Sequence, residues 1–397
     1  MEIGIFTDTY VPDINGVVTS IRTFKRELEA RGENVTVVAP SQTLRYEPLP
    51  DESVWRLPSV MFYGEKRYRF VIPFFFHLND LSKIPLDVIH TQTPFSVGAA
   101  GYKLARRKNL PMVYTHHTRY QEYAHYLHLP VRVLQWISRM TMPRVISFAN
   151  GHNAVIAPSY GLKRELEDFG VVKPIHVIPT GIDLEKTIRL SEERDPRAIL
   201  ARYGLPPDEP FMIFTSRIGK EKNIPFILEA TRDVLKTHPT LRLLIAGDGN
   251  EQKNLIKYAA SLGLGDRVVF LGFMTHNDLF PLYKLATVFL FSSYTETQGL
   301  AVAEAMATGL PVVALRAMGI EDVLDGDRGG FLVDGSRDDF VKKILLLLED
   351  HNVHEKKSAE AKERAKQFSA GAMAEKLIAL YARVIAEKAT ENKTLQG

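Results

Sequence analysis

The chain has no cysteine, only two tryptophans and no apolar stretch long enough to cross a bilayer. The missing cysteine excludes structural disulfides and thiolate-bound metals, and makes a reducing cytosol the natural compartment. The strongest aromatic run, residues 70–76, contains Pro73 and falls far short of the ~20 residues that a spanning helix needs. The opening Met1-Glu2-Ile3-Gly4 has no basic region and no apolar core of about 7–15 residues, so no secretory leader is expected. Acidic residues are scarce in one block. Between residues 101 and 150, Glu122 alone stands against Lys103, Arg106, Arg107, Lys108, Arg119, Arg132, Arg139 and Arg144, a local charge of +7 in a chain of net charge +3. Such a block attracts nucleic acid, anionic lipid or phosphorylated substrates, and a scattered solvated face has the same composition. No recognised nucleic-acid motif accompanies it, so no nucleic-acid partner is expected.

What is present points to two α/β domains. The chain has 397 residues, 45% of them apolar and 24% charged, enough for two cores with soluble surfaces. Short apolar runs at 2–6, 35–39, 88–90, 113–115, 154–157 and 176–178 read as strands with helical patterns between them. The first is followed by a loop with Pro12, then Gly16 and a helical pattern over 17–30. Residues 185–209, charged and proline-containing, read as a linker with a short helix. A second alternation starts at 211–215, continues through 224–237, 241–246, 268–271, 288–291 and 311–314, and ends in a long helix over 370–386. This predicts two Rossmann-like halves facing a cleft.

Two segments carry chemistry. In residues 292–309 a strand ends, a polar loop holds Glu296, and Gly299 precedes a helix that starts at Leu300 and carries Glu304 in its second turn. A helix N-terminus offers N–H groups to phosphate, and Gly299 permits close approach. Carboxylates beside such a site repel phosphate, so Glu296 and Glu304 are expected to face hydroxyls of the transferred sugar and the ribose. The second segment, residues 216–223, places Arg217 and Lys222 after a strand, suited to clamp a diphosphate and offset its growing charge. Asp325-Gly326-Asp327 has an Asp-x-Asp spacing but reads as a turn. No other His/Asp/Glu cluster has metal-ligand spacing, so no metal is expected.

Glu296-x7-Glu304, Arg217 with Lys222, and the Gly16 loop together resemble the retaining glycosyltransferases of family 4, which have the GT-B fold. Residues 12–20 (PDINGVVTS), 90–98 (HTQTPFSVG) and 115–126 (THHTRYQEYAHY) are similar to one bacterial branch, the 1,2-diacylglycerol 3-glucosyltransferases. The resemblance implies a 1–185 N-terminal domain for acceptor and membrane, a 186–369 domain for the nucleotide sugar, and a C-terminal helix, within 370–397, crossing back to the first. It implies transfer of glucose from UDP-glucose to diacylglycerol with retention, without a metal cofactor, by a cytoplasmic enzyme peripheral on an anionic membrane surface. Catalytic roles fall to His117, Arg217, Lys222 and Glu296. Donor contacts fall to Gly16, Arg217, Lys222, Phe273, Met274, Glu296, Gly299, Leu300 and Glu304, with the Gly272-Phe273-Met274 backbone on the base. His117, rather than His116, would bind sugar or acceptor without acting as a strong base. Many relatives carry an aspartate where this chain has Leu315-Arg316-Ala317-Met318-Gly319, which leaves the donor contacts of that loop open. Bases mixed with aromatics in 66–76, with the basic block, fit docking on anionic lipid. Acceptors other than diacylglycerol, or another nucleotide sugar, fit the same chemistry. A non-catalytic sugar-nucleotide-binding protein need not keep all four charged residues.

Overall fold

The computed structural model describes residues 1–13, 15–41, 47–49, 53–61, 69–71, 78–117 and 131–394, with the backbone course alone for 47–49 and 131–140. Most of the mixed basic and aromatic segment at 66–76, and the motif residues 118–126, lie outside them. The chain forms two compact units, Met1–Gly181 with Ala370–Gly397, and Ile182–Ser369.

In the first unit, β1 (Glu2–Phe6), β2 (Asn34–Pro40), β3 (Glu47–Leu49) and β4 (Val54–Leu57) lead to a separate short pair, β5 (Val60–Met61) and β6 (Arg69–Phe70). They are followed by β7 (Val88–Thr91), β8 (Met112–Thr115), β9 (Ala154–Ala157) and β10 (Ile175–Val177). The main sheet runs β10-β9-β8-β7-β1-β2-β4-β3, parallel throughout except between β3 and β4. Its central strands are buried on both faces, which explains their continuous apolar runs. The order reverses between β1 and β7. Loops leaving neighbouring strands diverge at such a point and open a crevice at the strands' carboxyl ends.

The second unit repeats the plan with β11 (Phe211–Thr215), β12 (Arg242–Ala246), β13 (Val268–Gly272), β14 (Val288–Phe291), β15 (Val312–Leu315) and β16 (Gly330–Val333). Its order, β13-β12-β11-β14-β15-β16, is all parallel and reverses between β11 and β14. Both halves are therefore Rossmann-like.

The stretch expected to be a linker with a single short helix is more ordered than that. It holds two helices, Leu184–Glu193 and Pro196–Arg202, that bury Leu190, Ile199 and Leu200 in the core of the second unit. Asp183 and Asp195 cap them, and Pro196 stands in the first turn, where its missing N–H costs nothing. The charges that suggested a linker are their solvent face. Arg194 and Arg202 also grip Asp278, at 2.7 and 2.8 Å.

The last helix spans Ala370–Thr394, longer than the apolar pattern suggested. Its polar end is carried by Arg383–Glu387 and Lys388–Glu391 pairs one turn apart. Met373, Leu377, Leu380, Tyr381 and Val384 enter the core of the first unit beside Ile21 and Phe24, so the chain does return to its N-terminal half. Asp325-Gly326-Asp327 is a turn, with Asp325 ending the preceding helix in the left-handed conformation.

Candidate active site

In the second unit, the two chemistry-bearing segments leave the strands on either side of the order reversal, β11 and β14. Lys222 ends a short 3-10 turn, Lys220–Lys222, and Asn223 follows in the left-handed conformation. Two serines after β14 hold that turn. Ser292 Oγ donates to the carbonyls of Lys222 (2.7 Å) and Asn223 (3.1 Å), and Ser293 Oγ to that of Glu221 (3.2 Å). Sequence reasoning missed both serines, since their partners lie about 70 residues away.

The clamp sets Lys222 Nζ 3.1 Å from Glu296 Oε2. The other oxygen, Oε1, accepts from the N–H groups of Gly299 (3.1 Å) and Gln298 (3.4 Å). Burial alone would raise the Glu296 pKa, but the Lys222 charge and these N–H groups outweigh it and hold the carboxyl below its ordinary value. Glu296 is therefore an anion seated at the entrance of the Leu300–Ala307 helix, with one acceptor position left on Oε2. The N–H groups expected to wait for phosphate are, at Gln298 and Gly299, already bonded to this carboxylate. Gly299 has a reason of its own to be glycine. Its φ is +75°, and a β-carbon there would lie 2.8 Å from Ile320 Cδ1.

Glu304 lies one turn further along. It is half-buried and has no hydrogen-bond partner among the described residues. Burial pushes its carboxyl up to about 7, with the Lys186 charge pulling the other way. Arg217 is half-exposed and donates to Glu221 at 2.9 Å. Both cations of the expected clamp thus face carboxylates. At the end of β13, Phe273 is 71% exposed while Met274 is buried in the core. The Gly272 carbonyl accepts from the Gly247 N–H at 2.8 Å.

In the first unit, Asn15 caps the Gly16–Glu29 helix by accepting from the Val18 N–H at 3.0 Å. Gly16 is exposed, and a β-carbon there would meet no described atom within 4 Å. One turn on, Ser20 and Phe24 line a small cavity with His90, Gln92, Thr115 and His117. His117 Nε2 lies 2.6 Å from Gln92 Oε1. Burial lowers the His117 pKa to about 3, with His116 adding to the effect, so the ring is neutral. His116 is fully buried, with Nδ1 2.9 Å from the Tyr114 hydroxyl. Asp8, also missed in the sequence, accepts from the hydroxyls of Thr93 and Ser96 and from the Val97 N–H at 2.8 Å. It closes the start of the Ser96–Lys108 helix, whose own N-cap, Phe95, cannot do so.

Family models match both halves. "Glycosyltransferase Family 4" matches residues 14–186 and "Glycosyl transferases group 1" matches residues 196–368. The alpha-monoglucosyldiacylglycerol synthase of Streptococcus pneumoniae is 35% identical over 89% of this chain and 80% of its own. The chain belongs to glycosyltransferase family 4. A second alpha-monoglucosyldiacylglycerol synthase, from Acholeplasma laidlawii, is 32% identical over 91% of this chain and 89% of its own. Among solved structures, Anabaena HepE in complex with UDP superposes with a TM-score of 0.75 at 19% identity, covering 96% of this chain and all of that one. The fold of this glycosyltransferase is GT-B, as its sequence predicted.

Proposed function

We propose that this glycosyltransferase moves glucose from UDP-glucose to the 3-hydroxyl of 1,2-diacylglycerol at an anionic membrane surface, giving an α-glucosyl lipid. The observation that carries the proposal is the 35% identity, over most of both chains, to the pneumococcal alpha-monoglucosyldiacylglycerol synthase.

The chemistry assigned to the site is front-face displacement with retention. The bond from the anomeric carbon to phosphate breaks, and the acceptor oxygen bonds to the same face. The leaving phosphate oxygen takes the acceptor's proton. Lys222 and Arg217 exchange their carboxylate partners for the diphosphate and offset the charge that grows on it. They take over the neutralising role that a divalent cation has in other transferases, so no metal is required. Glu296, held by the Gln298 and Gly299 N–H groups on Oε1, accepts from a hydroxyl of the sugar through Oε2. Glu304, without a hydrogen-bond partner among the described residues, accepts from the ribose. Leu300, at the start of the helix, offers a backbone N–H to the diphosphate. Phe273 and Met274 meet the base through their backbone, and Gly16 leaves open approach to the start of its helix.

Among the described residues no helix is long and apolar enough to cross a membrane. Membrane contact is assigned instead to basic residues of the first unit. On the Ser96–Lys108 helix, Lys103, Arg106 and Arg107 are exposed, Arg107 donating to Asn79 Oδ1 at 3.0 Å, and Lys108 is half-buried and donates to the carbonyls of Ser82 and Ile84 at 3.1 Å. Each base at an anionic surface contributes about 1 kcal/mol.

The test is transfer from radiolabelled UDP-glucose to diacylglycerol in mixed micelles, with and without anionic phospholipid and with EDTA. One α-glucosyl lipid, increased by anionic lipid and unaffected by EDTA, supports donor, acceptor, docking and metal independence together. Binding of UDP-glucose without a lipid product removes the acceptor.

A further inference from the structure

The first unit holds a buried polar layer that donor chemistry does not explain. Gln92 follows β7 and is 4% exposed. Its backbone N–H donates to the Phe6 carbonyl of β1 at 2.8 Å, which fixes its position at the order reversal of the sheet. Its side-chain oxygen lies 2.6 Å from His117 Nε2. The strands that carry these two residues are themselves tied together. His90 on β7 stands 2.6 Å from the Thr115 hydroxyl at the end of β8, and its other nitrogen stands 2.6 Å from the hydroxyl of Tyr381 on the C-terminal helix.

We infer that Gln92 is a positioning residue that holds His117 in a single neutral tautomer, with the proton on Nε2 and the Nδ1 lone pair reserved for the acceptor hydroxyl. This rests on the reading that His117 binds sugar or acceptor, and commits that residue to the acceptor. A carboxamide oxygen only accepts, so the Nε2 proton is directed to it. No described residue bonds to Nδ1, which in this tautomer only accepts. The residue type matters as much as the contact. A carboxylate at this position would stabilise the imidazolium and remove the acceptor, whereas an amide carries no charge to do so. The charge environment agrees. His116 acts on His117, His117 in turn acts on His90, and the described residues lining the shared cavity include no carboxylate. His117 would then orient the attacking hydroxyl without taking its proton, leaving that proton for the phosphate oxygen.

The experiment is 15N NMR of full-length protein labelled at histidine, with the His117 signals assigned through His117→Asn, alongside transfer kinetics on diacylglycerol micelles. Wild type at about pH 7 is expected to show an unprotonated Nδ1 and a protonated Nε2. Gln92→Glu, nearly isosteric and able to fold, is expected to show protons on both nitrogens. Its kcat should fall roughly 10- to 100-fold, with the KM for UDP-glucose unchanged. Gln92→Leu is expected to mix the tautomers. A proton on Nδ1 in wild type, or a tautomer and kcat unchanged in both variants, overturns the inference. If wild type makes no glucosyl lipid, the proposed acceptor falls, and the tautomer still decides what Gln92 does.

Discussion

Glu304→Gln isolates the energetic consequence of leaving a carboxyl half-buried and unpaired. The group titrates at 4.5 in the unfolded chain and at about 7 in the folded one. Below pH 4.5 it is protonated in both states and contributes nothing. As pH rises from 4.5 to about 7 the unfolded chain ionises it freely while the folded protein resists, so stability is lost across that window. Above it the full displacement is worth about 3 kcal/mol, reduced to about 2 kcal/mol by partial contact with solvent. Glutamine mimics the protonated form and has no such titration. Urea denaturation should therefore find the variant more stable than wild type by about 2 kcal/mol at about pH 8, and equal to it at about pH 4.5. UDP affinity should move the opposite way, weakening roughly tenfold at the higher pH if the carboxylate accepts from the ribose. Taking the difference between the two proteins cancels every other titrating group. A stability difference that is the same at both pH values, or a variant less stable at both, refutes the reasoning.

Gly299→Ala should cost about 1–3 kcal/mol, because alanine is strained at φ +75° and its methyl meets Ile320. A midpoint unchanged in urea would contradict this. Tyr381→Phe strips His90 of its Nδ1 partner inside the first core and should cost about 1–3 kcal/mol, again read by urea. An unaltered stability would show that the bond is not made. Burial lowers His90 to about 3 and His152 to about 4. Both stay neutral when folded and become protonated near 6.5 when unfolded, so stability should fall as pH drops from 6.5 towards 4. Histidine 15N signals that titrate near 6.5 in the folded protein would refute this. Ser292→Ala should lower kcat several-fold, about 1 kcal/mol of loop restraint, by freeing the Lys222 turn. An unchanged kcat would show that the turn holds without the serine.

Much of the fold was legible because parallel strands buried on both faces must be short, continuous apolar runs. The segments 2–6, 154–157, 211–215 and 288–291 were read at their actual bounds. Glu296, Glu304, Arg217 and Lys222 stood out because charged side chains beside strand ends and on a glycine-led helix have few structural uses. Of the two helices at 184–202 only one was expected, for the opposite reason. An amphipathic helix on a surface is mostly charged, and a proline in its first turn looks like a breaker.

What the sequence by itself determined is the chemistry available and the repeated α/β plan, since both depend on residue type and local period. Only the tertiary structure decided who faces whom. It placed β11 beside β14, which brings Lys222 to Glu296 across 74 positions, and it turned Glu296 towards the helix entrance rather than leaving those N–H groups open. It set Gln92 against His117, and Tyr381 of the last helix against His90 across 291 positions. These are contacts between strand ends and returning helices, fixed by the order of strands in a sheet. That order is chosen by packing both faces at once, and no local stretch of sequence encodes it.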